Sequence, residues 1–259
     1  PVIRIPASES ERVFTLVRAH AKTDEEVDAF ATFVELEAGN LAGDPKAVLG
    51  GGQRLWPRVL STRGKKGDER LPYAVDTLPL PNDNPYGAWL RTTALDFFAD
   101  GRCAVATLGG DVWVVDGIDQ DLAELRWSRF AAGLFEPLGL EVVDGLVYVT
   151  CRDGIVRLRD VNADGEADAY DWFHLDVDVS ATFHAFNFDL QQDADGRLSF
   201  VKSGRYTSFS EPGAVVRVTK DGGSFEYVAK GFRTPNGMGI LPDGALLVSD
   251  NQGQWVPAG

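Results

Sequence analysis

The stretch VVDGLVYVTCRDGIVRLRD, residues 142–160, decides how this chain is read. Two apolar runs of strand character, LVYVT and GIVRLR, lie on either side of a glycine-bearing turn. Asp144-Gly145 supplies a tight turn of its own, because glycine takes a left-handed backbone at little cost. The same Asp-Gly pair recurs at 100–101, 195–196 and 243–244, each time before a short strand: RCAVATL, RLSFVK and ALLVSD. Successive pairs stand 44, 51 and 48 residues apart. Most units continue through a turn into a second strand, DVWVVD, GIVRLR or AVVRVT. A period of about 40–50 residues with several strands per unit is the mark of a β-propeller. A generic β-sandwich of hairpins is the plainer alternative, and the regular spacing favours the propeller. Residues 91–259 are therefore expected to form an incomplete propeller of about three and a half blades.

Outward from the repeat, residues 60–90 are polar and proline-rich, with PLPNDNP at 79–85. Residues 51–90 read as an ordered linker or long loop. The glycines at 50–52 mark a boundary and are not a phosphate loop, since no Gly-Lys-Ser/Thr follows. Residues 1–50 read as a small α+β stub of a preceding domain. RVFTLVRAH (12–20) alternates like a strand. A helix is expected from Thr23 to Gly39, with Thr23 and Glu26 as a capping box and Val27, Phe30, Ala31 and Val34 on one face. Gly39 suits the helix stop. The chain opens at Pro1-Val2-Ile3 and closes at Gly259 in mid-motif, so it is expected to be a fragment at both ends.

The charge excludes some partners. With 39 acidic and 25 basic residues the net charge is −14, which repels phosphate backbones and anionic lipids. Nucleic acid is therefore not an expected partner. No apolar run reaches the ~18 residues of a membrane span. The two cysteines, Cys103 and Cys151, sit in strand-like runs without metal spacing, and two buried free thiols are favoured over a disulfide.

DVNADGEADAYD, 160–171, is the strongest local motif. Read as a calcium loop, it places Asp160, Asn162 and Asp164 at positions 1, 3 and 5. Gly165 follows at the sharp turn, and Glu166 offers its backbone carbonyl at position 7. Asp168 stands at position 9, and Asp171 at position 12, where a bidentate glutamate is usual. The flanking IVRLR reads as a strand, so a structural calcium between blades is expected. A solvated acidic turn is the alternative. Of three histidines, His20 reads as structural and His174 carries no motif. His184 lies shortly before an Asp-Gly strand, among Phe183, Phe186 and Phe188, where propellers line a central channel. The six tryptophans read mainly as core, with Trp89 or Trp255 available to stack on a sugar ring.

GFRTPNG (231–237), then an Asp-Gly strand and Ser249-Asp250-Asn251-Gln252-Gly253, resembles a segment of the six-bladed, pyrroloquinoline-quinone-dependent sugar dehydrogenases. GDVWVVDGIDQDLAEL (110–125), GLFEPLGLEVVDGLVYV (133–149) and RLRDVNADGEADAY (157–170) resemble the propellers of multi-domain, membrane-bound dehydrogenase proteins of planctomycete-type bacteria, described as glucose/sorbosone dehydrogenases. The resemblance covers about 53–259. It implies that His184 is the general base and that Arg233 stabilises the reduced quinone. It also implies that Arg233, Thr234, Asn236, Asn251, Gln252 and Gly253 hold the cofactor side, with calcium held there largely by backbone carbonyls. It further implies a small sugar or alcohol substrate, a cytochrome c-like domain as electron acceptor, and a periplasmic or extracellular setting.

Four departures stand against this pattern. Thr234 replaces an asparagine after the cofactor arginine, and Phe183 replaces an acidic residue before the histidine. A cofactor-contacting glutamine has no match around Leu134 to Glu136, and the family's later lysine and arginine contacts are expected beyond Gly259. Thr234, Phe183 and the missing later contacts favour a second reading, a non-catalytic, calcium-stabilised propeller that binds carbohydrate or protein. A third is a calcium-dependent lactonase-type hydrolase, with Asp250, Asn251 and Asn187 as loose candidates for a channel metal.

Overall fold

A computed structural model describes residues 7–10, 12, 14–41, 44–180, 182, 184–204, 210, 211 and 213–251. The chain divides into two compact units, Pro1–Gly52 and Gln53–Gly259.

The first unit contains α1 (Asp24–Leu41) and a 3-10 turn at Pro45–Val48. Thr23 caps the helix: its Oγ1 accepts the Glu26 N–H at 3.3 Å. The reciprocal bond of the box falls one residue early, with Glu26 Oε2 accepting the Lys22 N–H at 2.6 Å. The helix runs through Gly39 and ends at Leu41, because Gly39 keeps a negative φ and does not form the left-handed cap. The strand expected over 12–20 does not form: residues 14–20 have no regular structure. A lone strand leaves its backbone groups unpaired, and no partner strand exists among the described residues of this unit.

The second unit is built of four antiparallel sheets. The first holds β1 (Leu60–Thr62), β2 (Thr92–Phe97), β3 (Cys103–Thr107), β4 (Val112–Asp116) and β5 (Leu125–Ala131), in the order β1-β5-β4-β3-β2. The second is β6 (Gly139–Val143), β7 (Leu146–Cys151), β8 (Gly154–Arg159) and β9 (Ala169–Leu175). The third is β10 (Phe186–Gln192), β11 (Leu198–Ser203), β12 (Ala214–Val218) and β13 (Phe225–Lys230). The fourth pairs β14 (Pro235–Ile240) with β15 (Leu246–Asp250). The Asp-Gly pairs join β2 to β3, β6 to β7, β10 to β11 and β14 to β15, with Gly101, Gly145, Gly196 and Gly244 at φ of +79 to +88°.

The first strands, β2, β6, β10 and β14, pack one against the next. The last strand of each full sheet leads to the first strand of the following one. Sheets meandering in chain order, with their first strands succeeding one another along an axis, are blades of a β-propeller.

Apolar faces hold the blades together. Ala104, Val112 and Phe130 of blade 1 meet Leu140, Val149 and Val156 of blade 2. Tyr148 and Ile155 of blade 2 meet Leu190, Phe200 and Val216 of blade 3. A fully buried side chain of this size contributes about 1.5–3 kcal/mol, so the blade faces outweigh the loops. The other face of blade 1 is covered by its own chain. Trp113 and Trp127, both buried, pack there with Leu60, Leu78, Leu80 and Tyr86 from the proline-rich segment. Cys103 and Cys151 are buried free thiols, and burial pushes them up to about 11 and about 12. No helix among the described residues is long and apolar enough to cross a membrane.

Candidate functional site

The segments that lead into the inner strands carry the candidate residues. His184 lies in the turn before β10, and Arg233 and Thr234 lie directly before β14. Blade stacking brings these two segments together. One cavity of about 210 Å³ is lined by His184, Phe186, Phe188, Ser203, Arg233, Thr234, Asn236 and Asn251. It thus gathers five of the candidates named from the sequence. Gln252, Gly253 and Trp255, and Phe183 before the histidine, lie outside the described residues.

Backbone bonds fix the arginine turn. Asp250, the last residue of β15, accepts the N–H of Arg233 at 3.0 Å and that of Thr234 at 2.8 Å. The Arg233 carbonyl accepts the Gly204 N–H at 3.3 Å. Thr234 Oγ1 donates to the Asn251 carbonyl. The Ser-Asp-Asn run is therefore the clamp of the Arg-Thr-Pro-Asn-Gly turn. Asp250 is spent on that clamp. Asn187 is buried with its amide donating to the Cys151 and Arg152 carbonyls at 3.1 and 3.2 Å. Of the lactonase candidates, Asn251 lines the His184 cavity, Asp250 holds the arginine turn and Asn187 is bonded to the β7–β8 hairpin.

A second cavity of about 410 Å³ runs beside the first and shares Asn236 with it. Its lining includes Asp96 of β2, Glu141 of β6 and Asp189 of β10. These carboxylates form a repeated device between inner strands. Asp96 Oδ2 accepts the Val142 N–H at 2.7 Å, and Asp189 Oδ2 accepts the Met238 N–H at 2.6 Å. Glu141 is bonded in the same way by the Gln192 backbone. Burial, with Asp96 and Asp189 nearby, pushes the Glu141 carboxyl up to about 7. Reading the sequence by Asp-Gly pairs passes over this device. Its signal is an acid directly after an apolar residue in β2, β6 and β10: Leu95-Asp96, Leu140-Glu141 and Phe188-Asp189.

The calcium loop joins β8 to β9. Asp160 Oδ2 accepts the Gly165 N–H at 2.8 Å, Asn162 Oδ1 accepts the Asp164 N–H at 3.0 Å, and Asp164 Oδ1 accepts the Glu166 N–H at 3.0 Å. These bonds fold positions 1, 3 and 5 around the turn. Asp168 accepts the N–H groups of Val161 and Asn162 at 2.8 and 3.4 Å. The buried side chain of Glu166 leaves the loop and accepts the N–H groups of Leu55 and Trp56 at 2.8 and 2.9 Å.

Position 12 departs from a calcium loop. Asp171 lies in β9 opposite Arg157, and its carboxylate is held by Arg159 at 2.6 Å and Arg157 at 3.1 Å. A strand exit fixes its side chain by register, where a helix exit would fold it back over the ion. Among the described residues no three His, Cys, Asp or Glu side chains are grouped as a metal site. Asp160, Asn162 and Asp164 carry the oxygen donors a hard cation takes and spend them here on N–H groups of their own turn, whereas Asp171 is held by two arginines.

His174, without a motif, is a core residue: its ring lies 5.0 Å from Phe225 and 6.3 Å from Phe200, and burial lowers its pKa. Trp89 is exposed just before β2, with Arg91 5.7 Å over its ring.

No protein-family model matches the chain. No curated protein matches it. Among solved structures, a gluconolactonase from Xanthomonas campestris is similar over 64% of this chain and 56% of its own, at 19% identity and a TM-score of 0.47. A Thermus thermophilus protein described as an oxidoreductase (glucose dehydrogenase) is similar over 61% and 56%, at 22% identity and a TM-score of 0.46. Virginiamycin B lyase from Staphylococcus aureus is similar over 69% and 53%, at 17% identity and a TM-score of 0.44. The chain spans just over half the length of each of these proteins, and at such values none assigns it an activity.

Proposed function

We propose that the second unit binds a sugar or sugar-like alcohol where His184 and Arg233 meet, and oxidises it with pyrroloquinoline quinone as acceptor. The observation that carries this reading is the shared cavity of His184, Arg233, Asn236 and Asn251. An imidazole, a guanidinium and two amides suit a ligand rich in hydroxyl and carbonyl oxygens. The imidazole of His184 takes the proton of the reacting hydroxyl. The carbon beneath that hydroxyl loses a hydride and becomes a carbonyl. Bound quinone would supply the two-electron acceptor for that hydride. Arg233, whose backbone is bonded to Asp250 and Gly204, brings a guanidinium to the cavity lining for an anionic partner. Phe186 and Phe188 give the cavity an apolar wall that keeps water from the reacting carbon. At about 210 Å³ the cavity is smaller than the ~300 Å³ at which sites for drug-sized ligands begin. The described residues therefore suit a single sugar ring or one anionic end of the quinone. A cytochrome c-like carrier and a periplasmic or extracellular setting belong to the same reading, as does a structural calcium at Asp160, Asn162 and Asp164.

Titration of the chain with pyrroloquinoline quinone in calcium, followed by tryptophan fluorescence, tests this. Saturable binding is expected, weakened at least about tenfold (some 1.4 kcal/mol) by Arg233→Ala and little changed by His184→Ala. Dye reduction with a sugar should then require His184. Sugar binding without quinone binding would instead support a non-catalytic module. Quinone-independent hydrolysis of an aldonolactone would support the hydrolase.

A further inference from the structure

Arg152, at the end of the β7–β8 hairpin, reaches toward the candidate site with its side chain 10% exposed. Its Nη1 meets Glu136 Oε2 at 2.6 Å. Its Nη2 donates to the carbonyls of Ser180 and Thr182, at 3.1 and 2.7 Å. The guanidinium also stacks 4.6 Å over the ring of Phe186, a wall of the His184 cavity, and 5.8 Å over Phe135. The Thr182 carbonyl accepts the Ala185 N–H at 3.0 Å as well, closing the turn that carries His184. One planar fork thus ties the segment before β6, the His184 turn and the first residue of β10. A lysine has a single ammonium and cannot match that set of planar contacts.

We propose that Arg152 is the positioning residue of this site, holding the Thr182–Ala185 turn so that His184 stays at the cavity, with Glu136 orienting the guanidinium. The proposal rests on the His184–Arg233 cavity being the functional site. Charge-assisted bonds to two carbonyls of one short segment limit where that segment can sit. A general base displaced by about 1 Å loses much of its effect, so the turn needs such a restraint.

The chain has three histidines, so the ring proton–carbon NMR signals of His20, His174 and His184 are assignable by single substitutions. Relative to wild type, the His184 signal of Arg152→Met is expected to broaden or split, while that of His174, packed between Phe225 and Phe200, stays in place. A folded Arg152→Met with an unchanged His184 signal overturns the proposal. Equal disturbance of His174 overturns it too, because Arg152 would then be a general structural residue. If Arg152→Met does not fold, Glu136→Gln is scored by the same two signals and the same outcomes. None of these readings uses quinone or sugar, so failure of the proposed activity would appear separately, in the wild-type titration.

Discussion

Glu141 gives the clearest case of a residue whose chemistry is set by its neighbours. In the chain it is one acid within an apolar strand. In the fold it stands half-buried beside Asp96 and Asp189, and burial first, then those two charges, push its carboxyl up to about 7. The unfolded chain holds it near the ordinary glutamate value, so the folded state binds the proton more tightly. Its stabilising contribution is therefore full below about pH 4.5 and is lost as pH rises toward about 7. Glu141→Gln keeps an acceptor for the Gln192 N–H and removes the charge. Unfolding curves should make the variant the more stable protein at pH 8, by about 1–2 kcal/mol after allowance for solvent screening, and bring the two proteins closer at pH 4.5. An identical pH dependence in both would remove Glu141 as the cause.

At the scale of elements, the β8–β9 loop shows how far a motif determines its own structure. Asp160, Asn162 and Asp164 bond to N–H groups within five residues, so these contacts follow from local sequence. Asp171 is decided by the sheet, since its register partner is Arg157 and Arg159 lies within reach. A calcium ion held here lacks its twelfth-position ligand, and weak binding, on the order of 10⁻⁴–10⁻³ M, is expected. Asp164→Ala should lower Tm more in millimolar calcium than in chelator. Some loss remains in chelator, because the Glu166 N–H loses its acceptor. Equal shifts in both conditions would leave the loop as a hydrogen-bonded turn. The same contrast of local and distant causes holds at the N-terminus. The Thr23 cap forms as its sequence predicts, whereas residues 14–20 of the alternating run have no partner strand among the described residues and are irregular.

At the scale of the whole molecule, close approach of inner strands joins the blades. A Cβ on Gly139, the first residue of β6, would strike the backbone of Asp189 in β10. The Asp189 N–H is meanwhile bonded to the Leu138 carbonyl at 3.0 Å. Gly139→Ala must push blades 2 and 3 apart, which also strains the Asp189–Met238 contact at 2.6 Å. A loss of about 2–3 kcal/mol is expected in urea unfolding, as for other overpacked sites, with the cavity at Arg233 perturbed. A stability within about 0.5 kcal/mol of wild type would show that the blades slide without cost.

The strands, their Asp-Gly turns and the blade-like period were legible in the chain, because alternation and turn chemistry act within a few residues. The candidate pair was legible only as two separate motifs. His184 and Arg233 belong to the lead-in segments of different blades, and it is the stacking of β10 against β14 that gives them one cavity. The carboxylates of Asp96, Glu141 and Asp189, the Asp250 clamp and the Arg152 fork each join segments of different strands. Their partners are fixed by strand register and blade packing, and these depend on the apolar faces of whole sheets rather than on any local run of residues.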